Sequence, residues 1–295
     1  MCYTRTAAKP INAPRCSRTT MPHRFQTIVH PTDFSDMSVE AFVHALRIAL
    51  AMRSKLYLVH VAESEYPGEQ DGFPHVRHAL EQWRLLEANA ASAEVANKLG
   101  IKVAKIALEP QDPLRGLLHF LDQHPTDLVV LATHGRDGIA HWLRGSIAEK
   151  LSRTAQLPTL FLPPTACGFV EQSNGKLHLS RVLVPVDHSP PPSQALRTIE
   201  EFTGLMNEQG ATFELMHVGE IAPSIRRTAD GALVPVTRRT GDVVSAILQA
   251  AEEQQADLIA MPTADYHGFL DALRGSTTER VIRHAPCPVL SVPAE

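Results

Sequence analysis

Gly145 and Ser146 follow Gly135 by ten and eleven positions. They lie between an apolar run, Leu128-Val129-Val130-Leu131-Ala132, and a helical pattern in Ile147, Ala148, Leu151 and Ala155. The run has strand length and no polar alternation, as in a strand buried on both faces. It leads through a glycine-bearing turn, Thr133-His134-Gly135-Arg136-Asp137-Gly138, to the helix start. Such an arrangement offers backbone N–H groups and the positive end of a helix dipole to an anion. The same kind of turn also joins strands to helices where no ligand binds. No GxxxxGK[ST] occurs, so no lysine is placed to reach a terminal phosphate, and the turn is not GxGxxG.

Other chemistry-bearing residues are sparse. Arg136 and Arg144 are within reach of a phosphate held by this loop, although exposed arginines at a helix start are usually just solvated. His134 is either a ligand contact or loop filling. Asp33, in Pro31-Thr32-Asp33-Phe34-Ser35, carries helix-start chemistry. One carboxylate is a poor metal site, so Mg²⁺ would have to be held through bound phosphates. No Ser/His/Asp order and no Cys/His pair is positioned for nucleophilic catalysis. The fifteen histidines include no HExxH and no Cys/His cluster. The four cysteines, Cys2, Cys16, Cys167 and Cys287, have no CxxC spacing. A reducing cytoplasm is therefore the expected compartment.

The elements that must position these residues alternate. Residues 27–30 form a short β-rich run. Val39, Phe42, Val43, Leu46, Ala49 and Leu50 trace one helical face. Strands are predicted at 55–61, 101–108, 128–132 and 159–162. A long helix is predicted at about 78–99, stopped by Gly100, and another at 113–124 with Pro113 in its first turn. Strands alternating with helices predict a parallel sheet covered on both faces. Residues 1–24 hold five Arg or Lys and no acidic residue, and are expected to be a disordered basic tail. Residues 164–180, with Pro, Gly, Ser and Asn, read as a linker.

The pattern then restarts. Arg181-Val182-Leu183-Val184-Pro185-Val186-Asp187 matches residues 27–33, and Leu215-Met216-His217-Val218 matches 58–61. Asp257, Leu273-Arg274-Gly275-Ser276 and the stretch 288–293 match Asp127, 143–146 and 158–163 at a constant offset of 130. This is an internal duplication. The predicted units are 25–163 and 181–295, and 295 residues suffice for two cores. The second copy is shorter between strands two and four and lacks a counterpart of the 78–99 helix. In its place, Ala229-Asp230-Gly231 predicts a hairpin or extended segment. The net charge of −4 gives no reason to expect nucleic-acid binding, and no apolar run is long enough to cross a bilayer.

These motifs together resemble the universal stress protein family in its tandem two-domain form. The resemblance rests on PxD after strand one and HV ending strand two, each met twice, and on a loop of the form G-x2-G-x9-G-[ST], whose spacing recurs in both copies with departures at the leading glycines. It implies two Rossmann-like α/β domains of the adenine nucleotide alpha hydrolase-like type. Each would be a five-stranded parallel sheet of order 3-2-1-4-5 with flanking helices, and pairing between units would run through strand five. In that order strands one and four flank the topological switch point, where open α/β sheets bind ligands.

The resemblance further implies ATP, with Mg²⁺ on its phosphates, as the cofactor. Asp33 would contact the nucleoside beside Pro31 and Thr32, and Val61 and Leu131 would wall the adenine pocket. The Ser146 hydroxyl and the backbone of Gly135, Gly145, Ser146 and Ile147 would hold phosphates, with His134 and Arg136 nearby. Ala132 stands at the loop's first glycine, where a methyl group crowds a ligand or strains a positive φ by about 1–2 kcal/mol. In the second copy Pro262 and Asp265 replace two glycines. Proline lacks an N–H, and a carboxylate about 4 Å from a phosphate charge is repelled by roughly 4 kcal/mol. The expected protein is a homo-oligomeric, nucleotide-binding stress regulator without catalytic residues. A nucleotide-free scaffold or small-molecule sensor and a slow ATPase are the alternatives.

Overall fold

The computed structural model describes residues 25–61, 72–88, 92–109, 112–133, 157–207, 209–226, 231–264 and 277–294. The expected basic tail, the expected loop and helix within 134–156, residues 227–230 and the stretch 265–276 lie outside the described residues.

The first half is built from β1 (Thr27–Pro31), α1 (Asp36–Met52), β2 (Lys55–Val61), α2 (Val76–Gln82), α3 (Ser92–Leu99), β3 (Lys102–Leu108), α4 (Pro113–Gln123), β4 (Leu128–Ala132) and β5 (Thr159–Leu162). The second half follows with β6 (Arg181–Pro185), α5 (Ser193–Met206), β7 (Thr212–Val218), β8 (Ile225–Arg226), β9 (Leu233–Val234), β10 (Val236–Arg239), α6 (Val243–Glu253), β11 (Leu258–Ala264), α7 (Thr277–His284) and β12 (Val289–Ala294). All the strands except β8 and β9 form one ten-stranded sheet, ordered β10-β7-β6-β11-β12-β5-β4-β1-β2-β3. Each half therefore reads 3-2-1-4-5, as expected. Pairing is parallel within the halves and antiparallel where β12 meets β5, through Val289–Phe161, Leu290–Leu160 and Ser291–Thr159.

Alternate residues of each strand enter opposite layers. Ile28, Leu56, Leu58, Leu128, Val130, Leu160, Val182, Leu258 and Leu290 pack with α1 and α5 in one core that runs through both halves. Phe25 and Phe202 meet edge to face there, with ring centroids 5.7 Å apart. Val29, Tyr57, Val59, Val129, Phe161, Leu183 and Val289 pack with α4, α6 and α7 on the opposite face.

The carboxylates that precede strand four act at the N-terminal end of the sheet. Asp127 Oδ2 accepts the N–H groups of Gln26 and Thr27 at 2.9 and 2.8 Å. Asp257 Oδ2 does the same for Ser180 and Arg181, both at 2.8 Å. Each ties strand four to the start of strand one across some hundred or seventy-odd residues of chain.

Two expectations need correction. The long helix at 78–99 is broken. Arg84 takes a left-handed φ of 58°, and the N–H groups of Arg84 and Leu85 close back onto the carbonyls of Glu81 and Leu80. That pair of bonds ends a helix as a glycine cap would, and it lets Trp83 and Leu86 both reach the core. The segment 164–180 is also more than a linker. It folds into a clasp over the first half, with Val170 bridged to Leu177 and Phe169 fully buried. Trp83 donates its indole N–H to the Gln172 carbonyl at 3.0 Å, and Arg47 Nε donates to Gly175 O at 3.1 Å. The expected hairpin in the second half is present as β8 against β9.

His44 locks the clasp only as a neutral ring. Nδ1 donates to Glu40 O at 2.9 Å, and Nε2 accepts the Val170 N–H at 3.3 Å. Burial pushes its pKa down to about 4, and that of His30 to about 4 as well. Unfolding returns both to the ordinary value near 6.5, so the unfolded chain binds more protons between those limits. The stabilisation is complete above about pH 6.5, where each ring contributes on the order of 3 kcal/mol, and is lost as pH falls towards 4. Urea midpoints should drop between pH 6.5 and 5, above the carboxylate range, and His44→Gln should reduce that slope by about half. A midpoint constant over this interval contradicts the assignment. In a separate test at neutral pH, Asp127→Ala should destabilise by about 1–3 kcal/mol in urea titrations, and Asp127→Asn by less, because it keeps an acceptor.

Candidate functional site

The carboxyl ends of β1, β2 and β4 meet at one edge of the first half. Thr32 extends β1 by donating its N–H to Val59 O at 2.8 Å. The chain then turns into α1 through four small polar side chains, Thr32, Asp33, Ser35 and Ser38. Asp33 Oδ1 accepts the Ser35 N–H at 3.0 Å and the Ser35 hydroxyl at 2.6 Å. Ser35 is the helix N-cap and accepts the Ser38 N–H at 3.2 Å. Thr32 Oγ1 accepts from the Ser38 hydroxyl at 2.9 Å and from the Phe34 N–H at 3.2 Å. Asp33 is thus a half-buried turn carboxylate that shapes the loop between β1 and α1.

Phe34 pays for this turn with a left-handed φ of 62°, which is uncommon for a bulky residue. Its ring stacks on His60 with centroids 4.0 Å apart and meets Phe73 edge-on at 5.3 Å. Lys105, from β3, places its ammonium 5.9 Å from the Phe73 ring, and partial burial lowers its pKa. His60 Nδ1 donates to Thr32 O at 2.8 Å. The histidine of the HV motif is therefore a brace between β2 and the end of β1. His217 Nδ1 makes the same bond to Val186 O at 3.0 Å in the second half.

On the other side of β1, backbone pairing with β4 covers only Ile28–Leu128 and Val29–Val129. Beyond that point β4 stays paired to β5 as far as Ala132–Leu162. The β1–β4 ladder thus stops short at the point where the strand order reverses, the place where open α/β sheets carry a ligand crevice. Pro31, Thr32 and Asp33 stand on one side of it, and Leu131 (buried) and Ala132 (half-buried) on the other. Val61 is buried at the end of β2. The remaining candidate residues, His134, Gly135, Arg136, Gly145, Ser146 and Ile147, lie outside the described residues.

Sequence reasoning passed over His30, Phe34 and Phe73. His30 is fully buried, and its Nδ1 donates to Val130 O at 2.9 Å. Burial lowers its pKa most strongly, with the Val130 carbonyl, the Asp33 charge and the Ser38 backbone acting the other way. At neutral pH it is an uncharged ring. A polar residue inside an apolar strand, directly before a proline, was the available signal. Among the described residues no group of three His, Cys, Asp or Glu side chains is placed to hold a metal ion.

The second half is built differently at the same edge. Asp187 is 68% exposed, and its Oδ1 lies 3.7 Å from His217 Nδ1. It accepts the N–H of His188 at 2.7 Å. Strand four does not end at the position where β4 does. β11 runs on through Pro262 and Thr263 to Ala264, paired with β12 throughout. The position expected to open the glycine loop, Pro262, is thus held inside a strand.

The profile of the universal stress protein family matches residues 24–163 and 224–293. A universal stress protein of Methanocaldococcus jannaschii is 31% identical over 138 residues, covering 46% of this chain and 81% of that protein. A second from the same organism is 21% identical over 152 residues, covering 46% and 93%. The crystal structure of a universal stress protein from Archaeoglobus fulgidus superposes with a TM-score of 0.59 at 22% identity, over 92% of this chain and 98% of its own. That likeness shows a shared fold across both halves, and the two profile matches, which together span more than half of the chain, establish that the chain belongs to the universal stress protein family.

Proposed function

We propose that the first half binds an adenine nucleotide, ATP, in the crevice between β1 and β4, and that the protein acts as a conformational regulator of a stress response. The observation that carries this reading is the early end of the β1–β4 ladder at Val29–Val129. It leaves Pro31, Thr32 and Asp33 facing Leu131 and Ala132 across an opening at the switch point. Val61 supplies an apolar wall beside it. The loop through Gly135 and the helix start at Gly145, Ser146 and Ile147 supply the phosphate-facing N–H groups, with His134 and Arg136 beside them. Mg²⁺ in this reading rides on the phosphates, because Asp33 is a single carboxylate already shared with Ser35.

The second half serves as a partner unit without a nucleotide. The continuation of β11 through Pro262 supports this, as does the exposed Asp187. The two halves act as copies of one unit, joined as a dimer would be. Because β5 and β12 use each other's edges inside the chain, a second copy must dock elsewhere, and among the described residues the outermost strands of the sheet are β3 and β10. The cytoplasm suits both the ligand and the described cysteines, Cys167 and Cys287, which are unbridged. The engagement of Asp33 Oδ1 by Ser35 favours the rival reading of a nucleotide-free scaffold.

Calorimetric titration with ATP and AMP separates the two. One ATP per chain is expected, with affinity reduced about tenfold by Asp33→Ala, the size of one charge-assisted contact. Gly135→Asp should abolish binding while the protein stays folded. Two equal sites per chain, or heat of binding unchanged in Gly135→Asp, count against this assignment. Phosphate release by the wild type that Asp33→Ala removes would turn the reading towards a slow ATPase.

A further inference from the structure

The crevice in the first half opens for a covalent reason. In a parallel ladder only alternate residues of a strand face a given neighbour. With Val29 opposite Val129, the next N–H of β1 directed at β4 belongs to residue 31, and its acceptor is the Val130 carbonyl. Residue 31 is proline and has no N–H. A buried carbonyl deprived of its ladder donor is costly. His30 removes that cost, because its ring curls alongside the strand and Nδ1 stands 2.9 Å from Val130 O. Since a carbonyl only accepts, the proton is on Nδ1. Nε2 is buried and makes no hydrogen bond among the described residues.

The end of β1 is therefore held by two imidazoles, one on each side. His60 ties it to β2 through Thr32 O, and His30 ties it to β4 through Val130 O. The second half offers a built-in comparison. It repeats the proline, as Pro185, and the short ladder, which pairs only Val182–Leu258 and Leu183–Ile259. It repeats the outer brace, as His217 on Val186 O. At the position of His30 it has Val184, which has no side-chain donor. Among the described residues the inner brace is found in one half only, the half whose strand four ends at Ala132, while β11 runs on to Ala264.

We propose that His30 is a positioning residue of the first crevice. Its side-chain bridge stands in for the hydrogen bond Pro31 cannot make and fixes the spacing between the 31–33 wall and the 131–132 wall. This inference rests on the nucleotide reading above. His30 does not touch the ligand; it acts through Val130 and the backbone that follows it.

The test uses the full chain and three proteins: wild type, His30→Val, which installs the second half's residue, and His30→Asn, whose amide keeps a donor near the Nδ1 position. ATP affinity should fall about tenfold in His30→Val, the scale of one lost neutral hydrogen bond with its acceptor left buried. It should return to within about threefold of wild type in His30→Asn. Wild-type affinity in His30→Val overturns the proposal while leaving the nucleotide reading standing. Equal loss in both variants overturns it too, because packing and not the donor is then at work. A wild type that binds no ATP sinks the underlying reading and this role with it. A long-range proton–nitrogen spectrum of the wild type at pH 7 covers the case in which His30→Val does not fold. A neutral His30 with its proton on Nδ1 is expected, and the Nε2–H tautomer refutes the bridge.

Discussion

The antiparallel pairing of β5 with β12 is the contact on which the architecture depends. Each half alone would present strand five as an exposed, largely apolar edge. Leu160, Phe161 and Leu162 are buried, as are Val289, Leu290 and Val292. Edges of that kind aggregate unless they are paired or covered. Joining them makes one sheet and lets the core on each face run through both halves. The stability of either half therefore cannot be separated from the other's, because α1 and α5 share one layer across the join.

Given that join, the ends of the sheet are used for different purposes. At the amino end, Asp127 and Asp257 clamp strand four to strand one with paired backbone hydrogen bonds. At the carboxyl end, the same two strands part after two residue pairs in each half. A carboxylate clamp below and a proline above make the β1–β4 seam tight at one end and open at the other. The histidines that brace the open end, His60 and His217, occupy a motif that could be mistaken for a ligand contact. Their bonds to Thr32 O and Val186 O show that they hold the strand end in place.

Much of this was legible in the sequence. The duplication and most element boundaries followed from buried apolar runs, glycine and proline punctuation and a constant spacing, and the strand order from the resemblance to the universal stress protein family. The failures have definite causes. The break between α2 and α3 is capped by Arg84 in a left-handed conformation, and nothing about an arginine advertises that. The cap lets Trp83 and Leu86 both be buried, and Trp83 bonds to a clasp that lies about ninety residues further along the chain. The clasp itself has linker composition, and only Phe169 and Val170 hint at a buried face. At the candidate site, Pro31, Thr32, Asp33, Val61, Leu131 and Ala132 could be named from motif positions. The roles of His30, Phe34 and Phe73 could not, since each depends on a neighbour remote in sequence or on a backbone angle.

The seams of the sheet are unequal, and this bears on how a ligand in the crevice would be felt. β4 is paired with β5 over four residue pairs, and β5 with β12 over three more. β1 is paired with β4 over two. A force applied between β1 and β4 therefore meets less resistance across that seam than across the next two. Any displacement of β4 would carry β5 and β12 with it, because packed strands move together more readily than their ladders break. The compliant seam lies at the crevice and the stiff ones lead into the other half. A ligand biases such an element only by the difference in its affinity for the two arrangements. A nucleotide that gripped the 31–33 wall and the loop after β4 at once would supply that difference directly, because it would touch both sides of this short seam.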